Sequence, residues 1–195
     1  MTHLITIGQI THWTWLLWSL LCAVWLGSYP FVKRTIHRQS LSSRVEQTAV
    51  FSAGLYLLFG SPSAPDWLNQ PIFAVTLRIA LAGLGITAGG VALSIWARLT
   101  LGGNWSSSAT IKQDHALIMR GPYHAVRHPI YTGILAALVG SALQQGLIRS
   151  FLAVLICAVA LGMKVSMEEQ FMVQRFGEEY LRYRKNVSAL VPFLF

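Results

Sequence analysis

Five apolar runs, separated by short polar segments, dominate the sequence and leave few folds open to it. The runs cover roughly residues 13–32, 45–60, 72–101, 130–143 and 147–163. A run of about 20 apolar residues can cross the hydrocarbon core of a bilayer as a helix, and the second run is marginal by that measure. Inside lipid the backbone polar groups must be paired within the segment, which predicts helices. We therefore expect an all-α integral membrane protein with about five transmembrane helices.

The charge content agrees with a chain that lies largely in the bilayer. Only 11% of its residues are charged, whereas a soluble domain carries roughly 25%. So few charges would hardly cover the surface of a soluble domain. Cys22 and Cys157 both fall in apolar runs, where a cysteine behaves as a small hydrophobic residue. We expect residues 1–195 to form a single membrane-embedded domain without a disulfide framework.

The basic residues predict how the helices are oriented, since cytoplasmic loops carry an excess of Lys and Arg. Of the 15 bases, 13 lie in the first loop, in or beside the third loop, or after the fifth run. The amino terminus is therefore predicted outside and the carboxyl terminus in the cytoplasm. The first run is interpreted as a retained span, because its bases follow the run and do not precede it as in a signal peptide. The net charge of +8 then faces anionic membrane lipids, and no nucleic-acid partner is expected.

The loop between the third and fourth runs carries the most varied chemistry of the chain. Its last part, residues 121–129, reads Gly-Pro-Tyr-His-Ala-Val-Arg-His-Pro and places charge, imidazoles and prolines at the edge of an apolar run. The loop covers residues 102–129, and loops of this length in compact chains are usually functional or disordered. Apolar residues such as Ile111 and Leu117 argue against disorder here. We expect a folded cap over a cytoplasmic cavity.

A second polar segment follows the fifth run and contains Glu168 and Glu169. These carboxylates are expected on a helix that continues from the fifth span and leads into a carboxyl-terminal helix. Lys164 lies four residues before Glu168, a spacing that places both on one helix face and allows them to pair. Carboxylates next to a membrane are costly unless they are paired or functional. Within the third run, Gly85-x-x-x-Gly89 predicts a place of close helix packing.

The Arg-His-Pro-x-Tyr segment at 127–131 and the distal Glu-Glu…Phe-Gly-x-x-Tyr segment at 168–180 together resemble the isoprenylcysteine carboxyl methyltransferase family of integral membrane enzymes, part of a wider superfamily with phospholipid methyltransferases. The resemblance covers roughly the carboxyl-terminal half. It implies a catalytic region over 102–195 that binds S-adenosylmethionine in an enclosed cytoplasmic pocket and releases S-adenosylhomocysteine. It also implies methylation of a lipophilic acceptor from the bilayer, such as the carboxylate of a prenylcysteine, either as a small molecule or as a lipidated cysteine. The compact form further suggests a prokaryotic member in the inner (plasma) membrane.

The resemblance also implies site residues, carried over by position. Lys164 stands where the family has an acceptor-side arginine, and we expect it to steady an acceptor carboxylate without neutralising it. Arg127 is expected to act beside it in catalysis by meeting a carboxylate. A carboxylate acceptor with a pKa of roughly 3.5 is already ionised at neutral pH, so no general base is required. The expected cofactor-binding residues are Ser108, His115, Ala116, Leu117, Ile118, Tyr123, His128, Pro129, Tyr131 and Glu168.

Other interpretations of these residues stay open. A phospholipid amine N-methyltransferase would use a similar cofactor pocket but would need a base such as His124 to deprotonate its acceptor. A non-catalytic membrane protein, or a relative of the sterol reductases, would bind no sulfonium donor. His124 and His128 have the i, i+4 spacing of a shared metal site, but Pro122 and Pro129 disfavour a regular helix there. No metal is therefore expected, and the oligomeric state is left open.

Overall fold

The computed structural model describes residues 6–31, 35–38, 40–60, 64–105, 110–112 and 116–191. The described parts of the chain are mostly helical, so the predicted all-α class is confirmed. Their six α-helices are α1 (Ile7–Ser28), α2 (Leu41–Phe59), α3 (Leu77–Leu101), α4 (Pro129–Gln145), α5 (Ile148–Phe176) and α6 (Glu178–Asn186). Short 3₁₀ turns cover Tyr29–Phe31, Asp66–Asn69, Gly102–Asn104 and Gly121–His124.

Two short strands form the element that the sequence did not suggest. β1 (Thr35–Arg38) and β2 (Thr110–Lys112) pair as an antiparallel ribbon. One strand follows α1 and the other lies in the long loop after α3, so the pairing joins segments far apart in the chain. The hydrophobic pattern of either segment alone is too short to reveal such a pairing. The ribbon thus links the segment after α1 to the loop after α3.

The helices coincide with the predicted apolar runs, but their ends differ. α1 begins at Ile7 because Thr6 and Gln9 form a reciprocal capping box. α5 continues well past residue 163, the predicted end of its span, and ends at Gly177, whose φ of +53° suits glycine. The added turns contain Lys, Met, Glu and Gln, which are good helix formers. The prediction that Glu168 and Glu169 lie on a continuation of the fifth helix is therefore confirmed.

Three helical stretches in the described residues are long and apolar enough to cross a membrane: Ile7–Ser28, Leu77–Asn104 and Ile148–Phe176. α2 has 19 residues and packs along α5, while α4 has 17 and packs along α3. The predicted count of five spans and the predicted orientation therefore stay predictions.

The closest helix contact joins α3 and α4, and it is made by small residues. A Cβ built on Gly90 would lie 2.4 Å from the carbonyl oxygen of Gly133, and one built on Gly140 would lie 2.4 Å from that of Gly83. The prediction of close packing at Gly85-x-x-x-Gly89 is wrong, because a Cβ at either glycine would meet no described atom within 4 Å. The contact instead uses glycines seven residues apart, on the helix face turned toward α4.

The segment after α6 is anchored to the loop that precedes α4. The backbone N–H of Arg127 donates to the Ser188 carbonyl at 2.9 Å, and that of His128 donates to the Ala189 carbonyl at 3.0 Å. The Thr132 hydroxyl donates to the Leu190 carbonyl at 2.6 Å. These bonds hold the Arg-His-Pro segment against the carboxyl-terminal part of the chain and bring it beside the acidic end of α5.

Candidate active site

His128 stands between two carboxylates at the amino end of α4. Its Nδ1 lies 3.6 Å from Glu168 Oε2 and its Nε2 lies 3.4 Å from Glu169 Oε1, while the side chain is only 8% exposed. Successive residues of a helix point in directions about 100° apart, so the two glutamates of α5 reach the imidazole on different sides. Burial lowers the pKa of His128, but the two carboxylates outweigh burial and leave it above its ordinary value. A charged imidazolium is therefore favoured between them.

Glu169 is the centre of an ion-pair network that the sequence prediction did not include. Arg127 donates to its Oε1 from Nε at 2.7 Å and from Nη2 at 2.5 Å. Arg184 of α6 places its Nε 3.3 Å from Oε2. The remaining nitrogen of Arg127, Nη1, donates to the carbonyls of Arg184 and Val187. The guanidinium is thus directed at protein groups and ties the loop, α5 and α6 together.

Glu168 faces a different set of partners. The Tyr131 hydroxyl donates to Glu168 Oε1 at 2.6 Å, and the Tyr131 ring stacks on His128 with centroids 5.7 Å apart and planes 9° apart. Lys164, one turn before Glu168 on α5, places its Nζ 5.4 Å from the centroid of the Tyr131 ring. Tyr131 therefore contacts a carboxylate, an imidazole and an ammonium group at once.

A cavity opens in front of these residues. Its walls are mostly apolar with a few polar groups, as is usual for small-molecule sites. The structure brings most of the sequence-predicted site residues to its lining: Ala116, Leu117, Ile118, Tyr123, Arg127, His128, Tyr131 and Glu168. Ser108 and His115 lie outside the described residues. Pro129 begins α4 and is buried beside His128 without lining the cavity.

The cavity also contains residues that sequence reasoning missed. Phe171 and Met172 follow Glu168 by three and four positions, a spacing that places them on the same helix face and could have revealed them. Ile130 lies inside the Arg-His-Pro-x-Tyr segment and Tyr180 ends the distal motif, so their motif positions could have revealed both. The others lie at or just after the end of α3 and in α6, where the sequence offers no comparable signal. They are Leu101, Asn104, Trp105 and Tyr183.

Two tyrosines fix the loop wall of this cavity. The Tyr183 hydroxyl donates to the Tyr123 carbonyl at 2.5 Å, and the Tyr123 hydroxyl donates to the Ala97 carbonyl at 3.4 Å. Burial raises the pKa of Tyr123 well above its ordinary value and that of Tyr183 to about 12, so both hydroxyls stay protonated donors near neutral pH. The Tyr123 hydroxyl is thus bonded to α3, which leaves its ring as the cavity wall.

A second cavity of about 1020 Å³ lies on the other side of Tyr131, among α1, α2, α4 and α5. Trp105, Ile130 and Tyr131 line both cavities and form what we call the shared wall. Lys164 lines the second cavity and not the first. The structure therefore separates the two predicted catalytic residues, with Arg127 at the first cavity and Lys164 at the second.

Arg98 packs against Trp105 of the shared wall. It is buried, its Cζ lies 4.4 Å from the centroid of the Trp105 ring, and it donates to the carbonyls of Gly102 at 2.9 Å and Ser28 at 3.1 Å. Trp25 of α1 contacts Trp105 edge to face, with centroids 6.3 Å apart. Trp105 is consequently held by contacts from both α1 and α3.

His124 and His128, which have the spacing of a shared metal site, lie in different surroundings. The side chain of His124 is exposed, whereas that of His128 is buried between the two glutamates. Within the described parts of the chain, no group of three or more His, Cys, Asp or Glu side chains is arranged to hold a metal ion.

Comparison with known proteins identifies relatives over the same region. The sequence model of the phospholipid methyltransferase family matches residues 78–179. Protein-S-isoprenylcysteine O-methyltransferase of Schizosaccharomyces pombe is 31% identical over 136 residues, which cover 67% of this chain and 55% of that protein. Protein-S-isoprenylcysteine O-methyltransferase B of Arabidopsis thaliana is 26% identical over 162 residues, 78% of this chain and 81% of that protein. The chain thus spans about half the length of the yeast relative and four fifths of the plant one.

A solved structure shows the same fold. The structure of the eukaryotic intramembrane Ras methyltransferase ICMT (isoprenylcysteine carboxyl methyltransferase) superposes with a TM-score of 0.54 at 24% identity, covering 77% of this chain and 51% of that one. At this level of identity the likeness concerns the arrangement of helices. Together with the long apolar helices, it identifies an integral membrane protein.

Proposed function

Because the chain belongs to the phospholipid methyltransferase family, we propose that it transfers a methyl group from S-adenosylmethionine to the carboxylate of a lipophilic, prenylcysteine-like acceptor. The observation that carries this proposal is the pair of cavities that meet at Trp105, Ile130 and Tyr131. One cavity is mixed polar and aromatic, as a nucleoside-bearing donor requires, and the other is a largely apolar chamber with a lysine. Ligands in two cavities that share lining residues lie next to each other, and transfer requires that the methyl carbon and the acceptor oxygen meet at the edge of that lining, about 3 to 3.5 Å apart.

The first cavity fits S-adenosylmethionine, which carries a sulfonium, an amino acid and a nucleoside. Glu168 offers a carboxylate to hydroxyl or ammonium donors, while Leu117, Ile118 and Tyr123 offer aliphatic and aromatic walls. His128 Nε2 is buried without a hydrogen-bond partner, since its 3.4 Å approach to Glu169 has ion-pair distance but not hydrogen-bond geometry. When bound, S-adenosylmethionine supplies a methyl group activated by the sulfonium and is left as S-adenosylhomocysteine.

The chain's own residues position the reactants and exclude water. Lys164 lines the second cavity beside Tyr131 and steadies the acceptor carboxylate as a cation. The residues of the shared wall exclude water from the space between the two bound reactants. This exclusion strengthens each charge interaction there. The acceptor carboxylate is already ionised at neutral pH, so no residue has to remove a proton. Most of the catalytic effect then comes from alignment.

Arg127 acts as a positioning residue in this proposal. Its donors are engaged by Glu169 and by two backbone carbonyls, and through Glu169 it fixes one side of His128. A direct contact between Arg127 and a bound carboxylate, as the family resemblance implies, remains a prediction. Ser108 and His115 remain proposed cofactor contacts on the resemblance alone.

The acceptor distinguishes this proposal from phospholipid amine N-methylation, which the name of the matched family favours. That reaction needs an unprotonated amine and hence a base near the acceptor. His124, the candidate for that role, is exposed and lines neither of the two described cavities. A cation beside the acceptor, such as Lys164, favours an anionic group over an amine that is easily protonated.

The test is a methylation assay with mass-spectrometric detection that offers the purified protein a prenylcysteine and phosphatidylethanolamine in parallel. We expect a methyl ester on the prenylcysteine and calorimetric binding of S-adenosylhomocysteine. Transfer to the amine alone would replace the proposed acceptor, and absence of S-adenosylhomocysteine binding would remove the methyltransferase proposal altogether. Phosphatidylcholine, which has no free amine or carboxylate, serves as the control lipid.

We also propose that the acidic end of α5 faces the cytoplasm, with the amino terminus outside. Arg44, Arg127, Lys164 and Arg184 line or border the two cavities near this end, as expected of a cytoplasmic surface. A reporter fused after Phe195 should then be cytoplasmic, and one placed before Thr2 should be external. Reporters on the same side would contradict this topology.

A further inference from the structure

We propose that Arg44 is a specificity-determining residue of the second cavity. Together with Lys164 it forms an anion-binding end, so that the cavity takes an amphiphile with an anionic head and an apolar tail. The inference rests on the proposed function only in taking this amphiphile to be the methyl acceptor. Neither the sequence motifs nor the comparisons assign a role to Arg44.

The amino-terminal turns of α2 present a polar face to the cavity. Arg44, Gln47, Thr48 and Phe51 all line it, and their spacing of three and four residues is that of one helix face. The three polar residues come first and the apolar Phe51 follows one turn later. The lining of the cavity therefore changes from polar to apolar along the axis of α2.

α5 repeats this change on the opposite wall. It contributes Lys164, then Leu161 and Ala160. The two helices run antiparallel: a Cβ on Gly54 would contact Cys157, and Arg149 donates to the Leu57 carbonyl at 2.7 Å. Residues later in α2 thus contact residues earlier in α5.

This register places the two cations at the same end of the helix pair. Arg44 precedes Gly54 on α2 and Lys164 follows Cys157 on α5, so both lie on the same side of that contact. At about 1.5 Å per residue, Arg44 lies roughly 15 Å along α2 from Gly54, and Lys164 lies roughly 10 Å along α5 from Cys157. The head of a bound amphiphile would lie between the two side chains, and its tail would extend toward Phe51 and Leu161.

Arg44 adds a positive charge to the lining of the second cavity, whereas Lys164 interacts electrostatically with the nearby Glu168. None of the described residues that line the second cavity is Asp or Glu. Arg44 itself is half-buried and forms no ion pair with another described residue. A cleft with charges of one sign and low-dielectric walls raises the local concentration of the opposite charge. An anionic head is therefore the ligand that this lining fits.

Arg44 lies before the region that the family model matches. That match begins at residue 78, whereas α2 ends at Phe59. Lys164 lies inside the match. The second cation is thus supplied by a helix that the family model does not include, which leaves this position available for selecting the head group that this chain accepts.

The test compares two probes that differ only in the charge of the head: N-acetyl-S-farnesylcysteine and its carboxamide, titrated calorimetrically into the full-length protein in detergent. A charge-assisted hydrogen bond is worth about tenfold or more in affinity, so the wild-type protein should bind the acid at least about tenfold more tightly. Arg44→Met should lose most of this preference while binding the amide as before. Arg78→Met removes an exposed cation that lines neither cavity and should retain the preference.

Equal binding of the acid and the amide by the wild type, or an unchanged preference in Arg44→Met, would overturn the inference. Helix content by circular dichroism establishes that a variant is folded, and Arg44→Gln, which keeps a polar helix-forming side chain, provides the same test if Arg44→Met is not folded. The outcomes are separate from those of the proposed function. A preference for the acid in a protein that binds no S-adenosylhomocysteine would leave the anion site standing, whereas methylation without the preference would remove only the anion site.

Discussion

The two cavities differ in which parts of the chain build them. All residues that line the first lie between 101 and 183, almost entirely within the family match at 78–179. The second takes five of its 12 lining residues from α1 and α2, which precede that match. The proposed donor site is thus built almost entirely from the region that the family model matches, and the proposed acceptor site adds residues from helices that precede it. Such a division allows one transfer chemistry to serve different acceptors.

The cavities also differ in how their charges are compensated. At the first, Glu168 and Glu169 are paired with His128, Tyr131, Arg127 and Arg184, so the protein itself fixes the polar groups. At the second, the described lining holds Arg44 and Lys164 but no carboxylate, and Lys164 interacts electrostatically with Glu168 of the first cavity. The first cavity is therefore preorganised by internal pairs, and we propose that Arg44 leaves the second able to accept a charge that the ligand brings.

Loss of Arg127 should have the largest effect and should act on the first cavity. Arg127→Met leaves Glu169 buried with only the more distant His128 and Arg184, and breaking a buried ion pair costs about 3 to 5 kcal/mol. We expect a free energy of unfolding lower by that order and loss of S-adenosylhomocysteine binding. Denaturant unfolding in detergent measures the first quantity and calorimetry the second.

The control is Lys185→Met, which removes an exposed base of α6. It should leave both measurements unchanged. A stability loss in Arg127→Met no larger than in this control would mean that the Arg127–Glu169 pair does not hold the cavity together.

Glu168→Gln should weaken ligand binding at the first cavity and leave binding at the second unchanged. Losing a charged hydrogen-bond partner costs about 1.5 to 3 kcal/mol, or roughly ten- to hundredfold in affinity for S-adenosylhomocysteine. The preference of the second cavity for an acid over an amide should persist. Glu178→Gln, an exposed acid at the start of α6, provides the matched control. Wild-type S-adenosylhomocysteine affinity in folded Glu168→Gln would exclude this carboxylate from the donor site.

Lys164→Met should show the opposite pattern, because Lys164 lines only the second cavity. We expect turnover to fall and the acceptor KM to rise by roughly tenfold, with S-adenosylhomocysteine affinity nearly unchanged. A lysine that served only as an exposed i, i+4 partner of Glu168 would contribute about 0.2 to 0.5 kcal/mol, and its loss would barely change turnover. Steady-state kinetics with a prenylcysteine distinguishes the two.

Lys164→Arg extends this test to geometry. The family has an arginine at the matching position, and its planar fork pairs with carboxylates in a way that a lysine does not. A carboxylate acceptor should tolerate the variant or react faster. Slower reaction with a carboxylate than in Lys164→Met would argue against a charge role at this position.

The pH dependence should show the smallest effect. The pKa of His128 is raised above its ordinary value of about 6.5, so its contribution to stability is complete below that ordinary value and is lost as the pH rises through the raised folded-state pKa. Wild-type Tm relative to that of His128→Asn should therefore fall with rising pH across this window. Parallel Tm curves for the two proteins would show that His128 is not held as an imidazolium by Glu168 and Glu169.

Local sequence patterns identified the helices but not the contacts between them. The apolar runs predicted where α1 to α5 lie, since helix formation in lipid depends on local hydrophobicity. The ribbon of β1 with β2 and the α3–α4 contact at Gly90 and Gly133 were missed because each depends on the register of distant segments. Gly85 and Gly89 had the expected spacing but face away from α4.

At the site, too, contacts between distant segments were only partly predicted. The motif residues at 127–131 and Glu168 were brought together as the resemblance implied, yet the role of Glu169 as the ion-pair centre was missed. Its partner Arg184 lies on α6, outside the Arg-His-Pro segment, and only the fold reveals the contact. Arg44 was counted only among the bases of the first loop for the same reason, because Lys164, which lines the same cavity, lies in a distant part of the sequence.

The close contact of α3 with α4 has a consequence for protein engineering. Side chains cannot be added at Gly83, Gly90, Gly133 or Gly140 without moving one helix off the other, and the start of α4 carries Ile130 and Tyr131 of the shared wall. A library of variants seeking new acceptors would mostly destroy folding if it sampled this helix pair. The same library directed at Gln47 and Thr48 would reshape the second cavity while leaving the proposed donor site and its scaffold intact.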